Sequence, residues 1–305
     1  IRPILKPSNN LHSVSKQMNK ATIANLVIAL GIIYGDIGTS PLYVLNAIIS
    51  GRVISELLIL GSLSCIIWTL TLQTTVKYVW LTLNADNKGE GGIFSLYALV
   101  RRQKRWLVIP AMVGGAALLA DGMITPPISV TSAIEGLRQL PNLDYIPQDT
   151  IVYIVLGIMV ALFFLQQFGT QSIGKLFGPI MFIWFAMMAV LGSSHLVDDL
   201  GIFKALSPVY AIKLLTIYPK GFWILGAVFL CTTGAEALYS DLGHVGKSNI
   251  RISWVYVKIC LILNYLGQGA WLLHSHMGQV FNTANSNVFY SIMPSWFLIP
   301  GILIA

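Results

Sequence analysis

Apolar residues in this chain come in long runs rather than in alternation. Eight runs stand at roughly 22–50, 54–83, 107–137, 150–168, 177–197, 221–242, 253–273 and 289–305, and the stretches between them hold most of the charge. An α-helix needs about 20 mainly apolar residues to cross a hydrocarbon core, and most of these runs supply them. Stretches such as Ile151–Leu165 and Phe177–Leu191 carry no charge and are apolar on every helical face. The alternating strands of an outer-membrane barrel are missing, so the backbone must be satisfied within helices. The pattern predicts an all-α, multi-span membrane protein, with a polar segment over 1–20 and a membrane domain over 21–305. The first run is longer than the apolar core of a cleavable signal and is expected to act as its own insertion signal. The chain starts without methionine and ends inside the apolar run Trp296–Ala305, from which it is expected to be a fragment of something longer.

Composition sharpens this. Of 305 residues 55% are hydrophobic and 10% charged, where a soluble domain carries about a quarter charged, and the mean hydropathy is +0.73. A soluble globular protein is excluded. If the N-terminus is cytoplasmic, inner loops hold twelve of the nineteen basic residues and outer loops five, with Lys77 and Lys258 within or near segment ends. That bias sets an N-in orientation in the cytoplasmic membrane. The net charge of +7 therefore reflects topology, and Arg101-Arg102-Gln103-Lys104-Arg105 reads as an anchor for anionic lipid, not a nucleic-acid patch. Cys65, Cys231 and Cys260 all fall inside apolar runs, which leaves no disulfide framework and no Cys/His zinc spacing. His274 and His276 are expected to be solvated, and His195 and His244 sit near span ends with no assigned role.

The informative residues are acids where lipid should be. Asp36, Asp121, Glu135 and Glu236 lie inside the expected spans, where each ionised carboxylate costs about 2.5–3.5 kcal/mol on insertion scales. Two lysines near the membrane zone cannot neutralise four acids; a bound cation or bound protons can. Around Asp36 the first run reads Gly35-Asp36-Ile37-Gly38-Thr39-Ser40-Pro41-Leu42-Tyr43, a composition that breaks a helix and exposes carbonyl oxygens. Thr39 and Tyr43 follow Asp36 at i+3 and i+7 and add oxygens on one face. A kink packed on a neighbour is the plainer reading, but a buried acid within the kink favours a site.

The third run places Asp121, Thr125, Ser129, Ser132 and Glu135 on one helical stripe, with Pro126-Pro127 depriving the carbonyls of Gly122 and Met123 of their N–H partners. Ser132 reads as helix packing and Thr125 as part of a cation path. The sixth run repeats the theme in Cys231-Thr232-Thr233-Gly234-Ala235-Glu236-Ala237-Leu238-Tyr239. Two broken helices five segments apart are what an inverted repeat with a midplane site predicts. The loop Asn87-Lys88-Gly89-Glu90-Gly91-Gly92 lacks the spacing of a phosphate-binding loop and reads as a tight inner-face turn or gate.

Taken together, the segments around Asp36, Lys88, Thr125 and Glu236, with Ile124-Thr125-Pro126-Pro127-Ile128-Ser129-Val130 as the third, resemble the KUP/HAK/KT potassium uptake permeases over nearly the whole chain from about Ala21. The resemblance implies potassium uptake, coupled to protons in bacterial members, on a LeuT-like fold of the amino acid–polyamine–organocation superfamily. It implies twelve spans in the intact member, so that later core helices and a soluble C-terminal portion are expected to be missing here, with a homodimer through those regions. Carried over by motif, Asp36, Thr39, Tyr43, Asp121, Thr125 and Glu236 are cation-binding positions, with Asp36, Tyr43 and Thr125 against K⁺. Asp121, Glu236 and Glu135 are the proton-coupling candidates. Met123 and Pro127 depart from the family's pattern and put local helix geometry in question.

The expected function is thus K⁺/H⁺ symport by alternating access, with the transported ions, membrane lipid and a second copy of the chain as partners, no nucleic acid and no resident cofactor. An amino-acid or polyamine permease of the same architecture is the alternative, disfavoured by an acid at Asp36 where a carboxylate ligand would sit. A channel would show no proton coupling. An intramembrane aspartyl protease would need a G-x-G-D step that is absent, so the protein is not expected to be an enzyme.

Overall fold

The computed structural model describes residues 22–101, 104–140, 146–166, 170–283 and 286–305. The segment 1–20 with Arg2, Lys6, Lys16 and Lys20 lies outside the described residues, as do Arg102, Gln103 and the side chains of Arg105 and Lys175. Among the described residues there is no strand beyond two isolated bridges, Val53–Val280 and Asn87–Glu90.

Among the described residues, five helices are long and apolar enough to cross a membrane: Glu56–Asn84, Val108–Gln139, Phe177–His195, Gly221–Ser240 and Lys247–His276. The first run adds a bent pair, α1 (Ile23–Ile33) followed by α2 (Gly35–Thr39) and a 3-10 turn to Leu42, with 72° between the halves; α3 (Val44–Ile49) completes it. The second run begins at α4 (Glu56–Thr69), where Ser55 caps by accepting from Leu58 N and Glu56 lies in the first turn, favourable at a helix N-terminus. Beyond Thr69 it widens into a π-helix over Leu70–Leu81, and Thr75 and Thr82 hydroxyls donate to carbonyls five residues back. Then follow α5 (Ile93–Val100), α6 (Val108–Glu135), the 19-residue α7 (Gln148–Gln166) and α8 (Thr170–His195). Seven of the eight expected runs are thereby helical.

A spine of three helices holds the molecule. In α8 and α13 (Lys247–His276) the backbones touch, because a Cβ at Gly192 would overlap the Leu263 carbonyl and one at Gly267 would overlap Gly192 itself. Small residues at a crossing let helices approach this closely in lipid. α1 lies in the groove between them, with Gly178 against Val27 and the buried Tyr34 hydroxyl donating to the Ile250 carbonyl at 3.0 Å. The polar contacts sort into two faces. Lys247–Asp86, Arg251–Asn84 and Tyr239–Ala85 mark one, and Lys204–Glu56 and His195–Asp198 mark the other. α1 starts on the Lys247 face, since Val27 packs far down α8 from His195.

Three expectations are corrected. The stretch with Lys204, Lys213 and Lys220, expected as an outer loop, folds into a 3-10 helix (Leu200–Leu206) and α9 (Pro208–Ile217), bent by 83°. It dips along α4, where Trp68 Nε1 donates to the Leu206 carbonyl and Ser64 Oγ to the Ser207 carbonyl, and it returns with Leu214 at Gly61. Burial of Ile202, Ala205 and Leu214 drives it, and Pro208 starts the return helix. The eighth run is no continuous span but α14 (Val288–Ser291) and α15 (Leu298–Ile304), separated around Pro294, with Tyr290 packed beneath Gly136. His276 is not simply solvated, because its ring lies between Trp271 and Phe281.

Candidate functional site

The break in the first span and the break in the sixth meet. After α10 (Gly221–Phe229) and a 3-10 turn over Leu230–Thr232, the backbone opens at Thr233 (ψ 132°) and Gly234 (φ +82°) before α11 (Ala237–Ser240). Gly234 lies against Asp36 so closely that a Cβ there would overlap the Asp36 Cβ and stand 3.0 Å from the Ile37 nitrogen. Only glycine suits both that φ and that approach.

Around this junction the structure gathers most of the candidates. The Asp121 and Glu236 carboxyls come within hydrogen-bonding range of each other, and Asp36 is near enough to act electrostatically on both. Thr125 Oγ1 donates to Asp121 Oδ1 at 3.0 Å, and the Thr39 hydroxyl lies 3.0 Å from that of Ser129. Tyr43 is buried, shares a hydrogen bond with Ser40, and lies close to Thr233, so that it stands between the two breaks. Ser129 continues the stripe one turn beyond Thr125, whereas Thr233 was not singled out although it stands beside the breaking glycine. Glu135 is not brought in. Fourteen residues separate it from Asp121, about 21 Å along a helix, and it interacts instead with Arg138 and Gln148 at the other end of α6. Among the described residues no three His, Cys, Asp or Glu side chains converge tightly enough to chelate a metal ion.

The carbonyls freed by the first break were expected to face an ion, and here the structure corrects the sequence. Trp184 Nε1 donates to the Gly38 carbonyl at 2.9 Å, Gln268 Nε2 to that of Pro41 at 3.2 Å and Asn287 Nδ2 to that of Leu42 at 2.8 Å. Carbonyls orphaned by a broken helix inside a packed protein need a donor, and three other elements supply one. α6, by contrast, stays helical through Pro126 and Pro127.

A cavity of about 420 Å³ leads from Asp121, Thr233 and Glu236 towards the Lys247 face, walled by Gln73, Lys77 and Tyr78 of the π-helical stretch and by Tyr239. Gly92 of the glycine loop lines its far side. Lys88 and Gly89 adopt positive φ (56° and 87°), Asn87 and Glu90 exchange backbone hydrogen bonds, and a Cβ at Gly91 would overlap the Tyr239 carbonyl. The loop is a tight turn, as expected, pressed against the end of the sixth span. Lys247 Nζ at 2.5 Å and the Gly89 N–H at 2.8 Å hold the Asp86 carboxyl below the usual aspartate range. A carboxyl depressed in the fold stabilises above its unfolded pKa and loses that contribution as pH falls through the folded one. Loop protection is therefore constant at neutral pH and is lost only at pH values below ordinary aspartate titration. Asp86→Asn should lower hydrogen-exchange protection of the Gly89 amide about threefold at neutral pH, the size of one partly exposed ion pair. Unchanged protection would show that backbone contacts alone hold the loop.

Comparison with known proteins gives the following. The family model described as the K⁺ potassium transporter integral membrane domain matches residues 23–305. Proteins named probable potassium transport system protein Kup are 62% identical in Cytophaga hutchinsonii over 94% of this chain and 43% of the relative, and 56% identical in Flavobacterium johnsoniae over 97% and 44%. One from Clostridium perfringens strain SM101 is 58% identical over 94% and 45%. The chain thus spans less than half the length of the curated relatives it matches. No solved structure matches it.

Proposed function

Since the chain belongs to the K⁺ potassium transporter family of integral membrane domains, we propose that it forms the site-bearing part of a potassium uptake protein that works as a K⁺/H⁺ symporter. The junction of the two breaks carries this reading. Three acids, three threonines and a tyrosine meet where two spans lose their helical hydrogen bonds, and hard cations prefer oxygen ligands. Asp36, Tyr43 and Thr125 are the proposed K⁺ ligands, with Thr39 and Thr233 completing the polar wall. Asp121 and Glu236, close enough to share a proton, are the proposed coupling pair: two carboxylates so near cannot both stay ionised without a cation between them. Glu135 is proposed as a relay at the opposite face rather than a ligand.

The reading extends to architecture and placement. Breaks in the first and sixth spans support a LeuT-like inverted repeat in which segment 21–305 is the transporter domain, and the cavity towards the Lys247 face supports an inward-open state. The excess of basic residues on that face supports an N-terminus in the cytoplasm and residence in the cytoplasmic membrane. A homodimer would form through segments not present here.

Rubidium uptake by the whole protein in potassium-depleted cells tests the proposal, at two external pH values and with or without a protonophore at matched membrane potential. Saturable uptake that rises at acid pH and collapses with the protonophore is expected. No uptake above an empty control, despite verified insertion, would overturn it in favour of an organic-solute permease. Saturable uptake indifferent to pH and protonophore would remove the symport step alone.

A further inference from the structure

Lys77 is a cation on the wall of the cavity that the acids feed. It stands on the π-helical stretch between the acid cluster and the inner loop, its Nζ 5.0 Å from the centre of the Tyr78 ring, and it forms no ion pair among the described residues. The Tyr78 hydroxyl is itself within electrostatic reach of Glu236. The ammonium therefore rests on a ring that leads to the acid, on a flexible four-carbon stem. A cation–π contact at an exposed site is weak, so leaving it costs little.

We infer that Lys77 is a tethered counter-cation of this cavity, whose ammonium moves from the Tyr78 ring towards Glu236 when the acid cluster holds no transported ion. This rests on the proposed potassium function and adds a step to it. A cation leaving the cluster towards the Lys247 face passes Lys77, after which the lysine takes up the negative charge that would otherwise recapture an ion from that side. The same charge lies beyond the acids as seen from the opposite face, so entry from there is affected less. A positive charge brought up to the acid cluster, in a cavity less polar than water, lowers monovalent cation affinity by about tenfold.

The test is equilibrium binding of rubidium to the purified whole protein, wild type against Lys77→Met, Lys77→Gln and Lys77→Arg, with thermal unfolding to establish that each variant is folded. Lys77→Met and Lys77→Gln should both bind rubidium about tenfold more tightly, and Lys77→Arg should match the wild type. In proteoliposomes the two neutral variants should be inhibited by about tenfold less rubidium on the Lys247 face, while half-saturation from the opposite face moves little. Binding and inhibition equal to wild type in the neutral variants would overturn the inference and leave potassium transport standing. Absence of saturable rubidium binding in the wild type itself would instead overturn the potassium reading and this inference with it.

Discussion

Asp36→Asn should cut rubidium uptake by at least about a hundredfold, equivalent to ~2.8 kcal/mol of cation stabilisation, while membrane insertion and thermal stability stay near wild type. The structure separates the two effects. The Asp36 backbone carbonyl, not its carboxylate, accepts the hydroxyls of Thr39 and Ser40, so the local hydrogen bonds of the break survive the change. Asparagine keeps the volume and removes only the charge. That carboxyl is one of three facing the junction, and no lysine or arginine pairs with it among the described residues. A dehydrated cation at the junction loses its nearest anionic ligand, and the remaining acids cannot replace it from Asp121 and Glu236 without releasing their proton. Uptake like that of wild type would remove Asp36 from the site.

Gly234→Ala should be nearly as damaging for a different reason. At φ +82° a Cβ costs about 1–2 kcal/mol in backbone strain, and here it would also overlap the Asp36 Cβ. Both are relieved only by withdrawing the sixth-span break from the first. The expected result is a fall in rubidium binding of about tenfold or more for each ~1.4 kcal/mol of displaced contact, with uptake lost in proportion. Gly226→Ala, on the same span where a Cβ would meet nothing within 4 Å, is the matched control and should transport normally. Equal uptake by the two variants would show that the junction does not need its close approach.

What the sequence disclosed, and what it hid, follows from the range of the interactions. A glycine, an acid and a proline in mid-run announce a break because helix chemistry is local, and the stripe from Asp121 to Ser129 announces a face because its period is that of a helix. The carbonyl donors were invisible. Trp184, Gln268 and Asn287 stand 146, 227 and 245 residues from their acceptors, and nothing in a tryptophan or an amide within an apolar run says which carbonyl it will satisfy. Glu135 shares the stripe of Asp121 yet lies half the helix away, because periodicity fixes direction around an axis and not distance along it. The stretch around Leu206 was misjudged by its lysines. Lys204, Lys213 and Lys220 cut its apolar residues into pieces too short to look like a span, and the small groove at Gly61 and Ser64 makes room for it to dip.

Among the described residues the helix carrying Asp121 buries less of its apolar surface than the helices around it. Only 11% of its most apolar window is buried within the molecule, against 67% for the span from Glu56 and 56% for that from Lys247. Its 28 residues extend about 42 Å, more than the roughly 30 Å of a typical hydrocarbon core. A thinner or thicker bilayer is accommodated by tilt where packing resists least, and the Gly192–Gly267 crossing, backbone on backbone, resists most. A change in acyl-chain length is thus expected to be felt first as tilt of the helix that carries Asp121, on its side of the gap to Glu236.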